Sequence, residues 1–214
     1  MRNRNQPIAV EGYPFIALFA FVTLVFALLG WTFLTLLLLA LTLFTVYFFR
    51  NPERLIPEAE DAVVAPADGK IVYAGEVENA PMLDGPAQKV SIFMSVFNVH
   101  VNRVPYAGKV IDSFYKKGAF FNAELDKASS ENEQSGLLVE TTDGRRISFV
   151  QIAGLVARRI VCYAEVGDQL ERGARYGLIR FGSRVDIYLP TDTALQVRLG
   201  DRTVSGETVI GTLP

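Results

Sequence analysis

A glycine followed by a serine, Gly182-Ser183, is the arrangement in this chain with the most chemical potential. A serine hydroxyl can attack the carbonyl that precedes it and exchange an amide for an ester. Glycine on the acyl side has no Cβ to obstruct that attack and tolerates strained dihedrals. The dipeptide alone specifies nothing, so its setting matters: Arg180-Phe181-Gly182-Ser183-Arg184-Val185-Asp186, inside what reads as a β-strand. On the two-residue alternation of that stretch, Ser183 falls with Ile179, Phe181, Val185, Ile187 and Leu189 on an apolar face. A hydroxyl there must find a partner or be costly. It is either a small residue bonded to backbone or an internal nucleophile. His100 is the only histidine, and histidine is the side chain whose ordinary titration range spans neutrality. It shares a predicted strand face with Asn98 and Asn102, and Arg103 follows. A structural histidine is the plainer reading of His100, and a turn carboxylate the plainer reading of Asp68 in Ala65-Pro66-Ala67-Asp68-Gly69.

Composition removes several other chemistries. The 214 residues include a single cysteine, Cys162, so an intramolecular disulfide is impossible and a zinc site of the usual Cys/His type is disfavoured; no metal is expected. The formal net charge is −2 with no basic block, which argues against nucleic acid as a partner. Half of the chain is hydrophobic and the mean hydropathy is +0.25, high for a soluble domain. The excess lies at one end, since Gly12 to Phe49 carries no charged residue. As one helix that run would extend about 57 Å against a hydrocarbon core of about 30 Å. Two short helices, near Tyr13–Leu29 and Trp31–Phe49 with a turn at Gly30-Trp31, fit better than one long tilted helix. Arg2 and Arg4 at one end, and Arg50 and Arg54 at the other, favour a hairpin with both ends cytoplasmic. A cleaved signal peptide is disfavoured, because the apolar stretch is too long and no Ala-x-Ala site closes it.

After Asn51-Pro52 the pattern changes to short β segments separated by Gly, Pro and Asp turns, which argues for a mostly β domain. Val90–Val104 alternates as one strand, and Gly136–Glu140 and Arg146–Ile152 flank Asp143-Gly144 as a hairpin. Two pieces share a Gly-Asp-x-x-x-x-Gly form, Gly167–Gly173 and Gly200–Gly206. That repeat resembles turns of lipoyl-type hybrid folds and suggests a barrel-sandwich. The expected division is a helical-hairpin anchor over residues 1–50 and a β-rich catalytic domain over 51–214.

Taken together, four segments resemble the phosphatidylserine decarboxylase family in its short bacterial and archaeal branch. They are Ala65-Pro66-Ala67-Asp68-Gly69-Lys70; Phe93-Met94-Ser95 with Asn98-Val99-His100-Val101-Asn102-Arg103-Val104-Pro105; Ser130-Glu131-Asn132-Glu133; and Gly177–Asp186 around the Gly-Ser pair. The resemblance implies a proenzyme that cuts itself between Gly182 and Ser183 into a large chain, 1–182, and a small chain, 183–214, held together as a heterodimer. Ser183 would become a covalent pyruvoyl cofactor, the electron sink for loss of CO₂ from phosphatidylserine to give phosphatidylethanolamine. Asp68 and His100 stand at the family's aspartate and histidine positions. Longer members carry a second histidine where this chain has Arg103, which leaves open how His100 divides between cleavage and decarboxylation. Arg103, Asn98 and Asn102 are candidates for substrate contact. The implied partners are a phospholipid and the membrane, with the catalytic domain facing the cytoplasm; oligomeric state stays open. The competing readings are a relative acting on an ether-lipid phosphoserine, a non-catalytic membrane-tethered carrier using Lys70, and a serine peptidase using Ser183 and His100. The peptidase lacks a Gly-x-Ser-x-Gly elbow.

Overall fold

The computed structural model describes residues 6–119, 121, 123, 131–154, 159–180 and 182–214. The described chain divides between Glu53 and Arg54 into two compact units.

The N-terminal unit is a helical hairpin. A single turn of 3₁₀ helix, Val10–Gly12, leads into α1 (Tyr13–Leu28), and α2 (Thr32–Phe48) returns. Gly30 makes the reversal at φ +74°, a conformation that a Cβ would penalise. Pro14 stands in the first turn of α1, where its missing N–H costs nothing. Neither helix shows a one-sided apolar stripe. Instead Leu18, Phe21, Leu24, Leu28, Phe33 and Leu36 all lie exposed, a surface suited to an apolar solvent. The continuous helix Val10–Leu28 has 19 residues and is long and apolar enough to cross a bilayer. Between the helices Thr23 and Thr42 share a hydroxyl hydrogen bond of 3.2 Å.

The second unit is built from strands. In chain order these are β1 (Ala62–Val64), β2 (Gly69–Val77), β3 (Ala87–Met94), β4 (Val101–Arg103), β5 (Gly108–Lys116), β6 (Gln134–Glu140), β7 (Arg146–Ala153), β8 (Ile160–Cys162), β9 (Gln169–Leu170), β10 (Arg175–Ile179), β11 (Ser183–Leu189), β12 (Ala194–Leu195), β13 (Arg202–Thr203) and β14 (Val209–Thr212). Eight of them form one antiparallel sheet in the order β13-β2-β3-β11-β7-β6-β5-β9. Two three-stranded sheets, β4-β10-β8 and β1-β14-β12, accompany it. The mostly β domain with a helical hairpin expected from the sequence is therefore the observed architecture.

The large sheet is close to a palindrome, and the repeated Gly-Asp turns are its two ends. Gly167 and Gly200 both have φ near +100°, at +99° and +96°. Each Asp side chain accepts the amide three residues before it, Glu165 N for Asp168 and Arg198 N for Asp201. The carbonyl of Asp168 then accepts Val110 N at 2.9 Å, and that of Asp201 accepts Ile71 N at 2.8 Å. The same seven-residue device thus adds a short edge strand to each outer long strand, β9 to β5 and β13 to β2.

Two expectations need correction. Val90–Val104 is not one strand: β3 ends at Met94, a turn follows, and β4 belongs to a different sheet. The Gly182-Ser183 bond is not inside a strand either. Gly182 has φ +63° and breaks the extended run, leaving β10 and β11 in different sheets. Simple alternation cannot detect such a corner, because both flanking strands keep the apolar period.

β11 lies at the middle of the large sheet and is buried on both faces. Val185, Ile187 and Leu189 enter the main core with Ile92, Phe149 and Ile147. Phe149 meets Tyr176 of β10 edge to face at 4.9 Å. Truncating Ile187 to Ala should lower stability by about 2–5 kcal/mol, the range for a buried aliphatic deletion. Chemical denaturation of the variant against the parent reads this; a loss below about 0.5 kcal/mol would mean that the core does not close around β11.

Candidate active site

Ser183 opens β11 and is completely buried, hydrogen-bonded through its strand to β3 on one side and β7 on the other. Its cross-strand partners are Met94 and Ala153. Among the described residues its Oγ has no hydrogen-bond partner. An unsatisfied buried hydroxyl costs roughly 1–3 kcal/mol. Gly182 supplies the left-handed corner immediately before it. Gly154, just after β7, approaches from the side. A methyl group on Gly154 would overlap the Gly182 carbonyl oxygen and come within 2.9 Å of its carbon.

His100 stands one residue before β4 and is 2% exposed. Its carbonyl receives Ile179 N at 3.4 Å, which joins it to the end of β10 just before the Gly182 corner. Its Nδ1 lies 3.0 Å from the carbonyl oxygen of Asn98. A carbonyl only accepts, so Nδ1 carries the hydrogen and Nε2 of the neutral ring keeps the lone pair.

Asp68 is fixed from two directions. Arg54 Nη2 reaches both carboxylate oxygens, at 3.0 and 2.9 Å, and the Ser205 amide donates to Oδ1 at 2.8 Å. The adjacent backbone is stitched to the same C-terminal segment, with Thr203 Oγ1 donating to the Ala67 carbonyl and Ser205 Oγ to that of Pro66. Arg54 and Ser205 are Asp68's side-chain partners among the described residues, so Asp68 joins the early and late parts of the chain and contacts neither Ser183 nor His100 by a hydrogen bond.

The three further candidates separate. Asn98 accepts the Ser95 amide and hydroxyl on its Oδ1 and borders a cavity of about 490 Å³ lined also by Lys70, Phe93, Ser95, Phe97 and Arg202. Asn102 is fully buried; its Oδ1 accepts Gln151 Nε2 at 2.8 Å and its Nδ2 rests on Met94 Sδ. Arg103 is 6% exposed and donates from Nη1 to the Gly173 carbonyl at 2.8 Å. Lys70 lies within β2, opposite Phe93 and Arg202, rather than at a hairpin tip where a carrier would present a cofactor lysine.

Sequence reasoning missed a buried charged group on the other face of β11. Arg184 grips Asp186 with Nε at 2.7 Å and Nη2 at 3.0 Å, and Lys89 Nζ lies 3.2 Å from the same carboxylate. Tyr188 is pushed well up from the usual phenol range, first by burial and then by the charge of Asp186, so it stays protonated beside that carboxylate. The signal was present as charged residues two apart in an apolar strand. Gln151 was likewise visible as a polar residue in the run Ile147–Ala153. Burial also raises Cys162, keeping it a thiol rather than a nucleophilic thiolate.

The phosphatidylserine decarboxylase family model matches residues 41–211. The chain belongs to the phosphatidylserine decarboxylase family. A phosphatidylserine decarboxylase proenzyme of Syntrophotalea carbinolica is 65% identical over the full length of both chains. Proenzymes of the same name from Citrifermentans bemidjiense and Geotalea uraniireducens are 60% and 56% identical, again over the whole of each chain. The family match includes Asp68, His100, Gly182 and Ser183 in a single span, together with the buried Arg184–Asp186 pair.

Replacing Asp186 with Ala leaves Arg184 and Lys89 facing one another without their shared anion. A stability loss of about 3–5 kcal/mol is expected for such a broken buried pair. Thermal unfolding measures it, and an unchanged midpoint would show that the cluster contributes nothing.

Proposed function

We propose that this protein cuts its own Gly182–Ser183 bond and then decarboxylates phosphatidylserine to phosphatidylethanolamine. The observation that carries this reading is the Ser183 hydroxyl, buried and without a partner among the described residues, directly after a glycine at positive φ.

In the first step Ser183 Oγ bonds to the Gly182 carbonyl carbon, the C–N bond breaks, and the hydroxyl proton passes to the departing nitrogen. Loss of the Ser183 α proton then breaks Cβ–Oγ and releases Gly182 as a carboxylate. Water hydrolyses the remaining dehydroalanine, in its imine form, to a pyruvoyl cap and ammonia. The residues present fit such a group, because the small side chain at 183 is already buried in a packed position and its Oγ has no hydrogen-bond partner among the described residues. When present, the group supplies the carbonyl that accepts the electron pair left by departing CO₂.

The chain's own residues do the remainder. Nε2 of His100, fixed by the Nδ1 bond to Asn98, is assigned to move the proton at the substrate carbon. Asp68, fixed by Arg54 and Ser205, is assigned to the cleavage step. Asn98, at the cavity wall, Asn102 and Arg103 are assigned to contact with the substrate headgroup. The sheet keeps the severed product assembled, since β11 pairs with β3 and β7, β13 with β2 and β14 with β1. The apolar hairpin is assigned to the bilayer, on its cytoplasmic side, where a lipid substrate is concentrated.

Intact mass of the purified full chain should show two polypeptides, 1–182 and a blocked 183–214, that separate only on denaturation. Ser183→Ala should stay whole and release no CO₂ from phosphatidylserine vesicles. CO₂ release by Ser183→Ala would sink the reading. His100→Ala should lose at least about 100-fold in turnover, the scale of a general acid–base contribution; wild-type turnover would remove His100 from proton transfer.

A further inference from the structure

The segment Ser130-Glu131-Asn132-Glu133 stands out in the sequence, yet none of the steps above uses it. Asn132 is completely buried and makes three hydrogen bonds through one side chain. Its Nδ2 donates to the carbonyls of Ala153 at 2.7 Å and Phe121 at 2.8 Å, and its Oδ1 accepts the Phe121 amide at 2.9 Å. The Glu133 carbonyl takes the Ala153 amide at 2.9 Å. Both backbone polar groups of Ala153 are therefore held by residues 132 and 133, and Ala153 is the residue directly across the ladder from Ser183.

The next residue is Gly154. The place its Cβ would take is filled by the Gly182 carbonyl, with Ala123 Cβ 3.3 Å away on another side. Ala123 is itself held, because its carbonyl receives Arg184 Nη1 at 3.1 Å. The carbonyl of the bond to be cut thus lies in a notch that exists only because residue 154 has no side chain.

We propose that Gly154 seats the Gly182 carbonyl for attack by Ser183 Oγ, and that Asn132 is the positioning residue that holds the seat. This inference rests on the reading that Gly182–Ser183 is the bond cut. During the acyl shift the carbonyl carbon becomes tetrahedral and its oxygen must move, so an oxygen already held in a notch of fixed shape enters the reaction correctly aimed. Gly154 offers only a weak C–H contact to that oxygen, so its part is placement rather than charge stabilisation. A methyl group at 154 displaces the carbonyl, and displacement on the scale of ~1 Å costs about 100-fold in rate.

The test follows processing of the newly made full chain by intact mass, with hydroxylamine as a probe that cuts an ester at Gly182 and leaves an amide alone. Gly154→Ala is expected to slow cleavage about 100-fold, to resist hydroxylamine, and to unfold at the same temperature as uncut Ser183→Ala. Asn132→Ala, which leaves the notch free of a methyl, is expected to slow cleavage in the same step and also to resist hydroxylamine. If Gly154→Ala gives no cooperative unfolding transition, Asn132→Ala decides by the same two readouts. Cleavage at the parent rate, or an uncut chain that hydroxylamine severs, would overturn the seat. The reading of the cut bond fails separately, if Ser183→Ala is itself processed.

Discussion

Pairing of β11 on both edges is the constraint on which the rest of the structure depends. A protein that severs its own backbone must hold the two new ends in register without the covalent bond. Here the strand that starts at Ser183 hydrogen-bonds with β3 along seven residue pairs and with β7 along six, and both faces are covered. The bond assigned to cleavage lies at the corner where the chain leaves one sheet for another, so cutting it removes no ladder. Cutting within β10 or β11 would instead detach part of a core strand.

The same position explains the polar chemistry packed around it. A central strand buried on two faces would ordinarily be apolar throughout. This one carries Arg184 and Asp186 on the face away from the main core, neutralised within a bidentate pair and joined by Lys89. Such a pair gives little net stability over an apolar replacement, but it fixes geometry. Arg184 also holds Ala123 by its carbonyl, and Asn132 holds Phe121 and Ala153, so the walls beside the corner are set by oriented hydrogen bonds rather than by packing alone. Asp68 does a related task elsewhere in the β unit. It joins Arg54, at the start of the β unit, to Ser205 near its end.

Near-symmetry of the large sheet accounts for how so short a chain builds such a site. Two equivalent Gly-Asp turns terminate equivalent edges, and β11 falls in the middle pair. The central position keeps Ser183 out of bulk water. The turns themselves stay exposed, where they protect both sheet ends with short added strands.

Local sequence was enough for whatever depends on one segment at a time. The uncharged run from Gly12 to Phe49 settled an apolar helical hairpin, because helix length and hydropathy are properties of a continuous stretch. Period-two alternation and Gly/Asp turns settled a β domain, and the order of short motifs settled the family. What the sequence could not decide was which residues meet. Alternation through Ile179, Phe181 and Val185 concealed the left-handed corner at Gly182, since φ at a glycine leaves no mark on its neighbours' pattern. Arg54 and Asp68, Gln151 and Asn102, and Gly154 and the Gly182 carbonyl are pairs drawn from distant or unremarkable positions. Their partnerships come from strand order and register, which are fixed only when the sheets close. The hydroxyl at 183 was legible as a residue, but its burial without a partner among the described residues is a property of the folded protein alone.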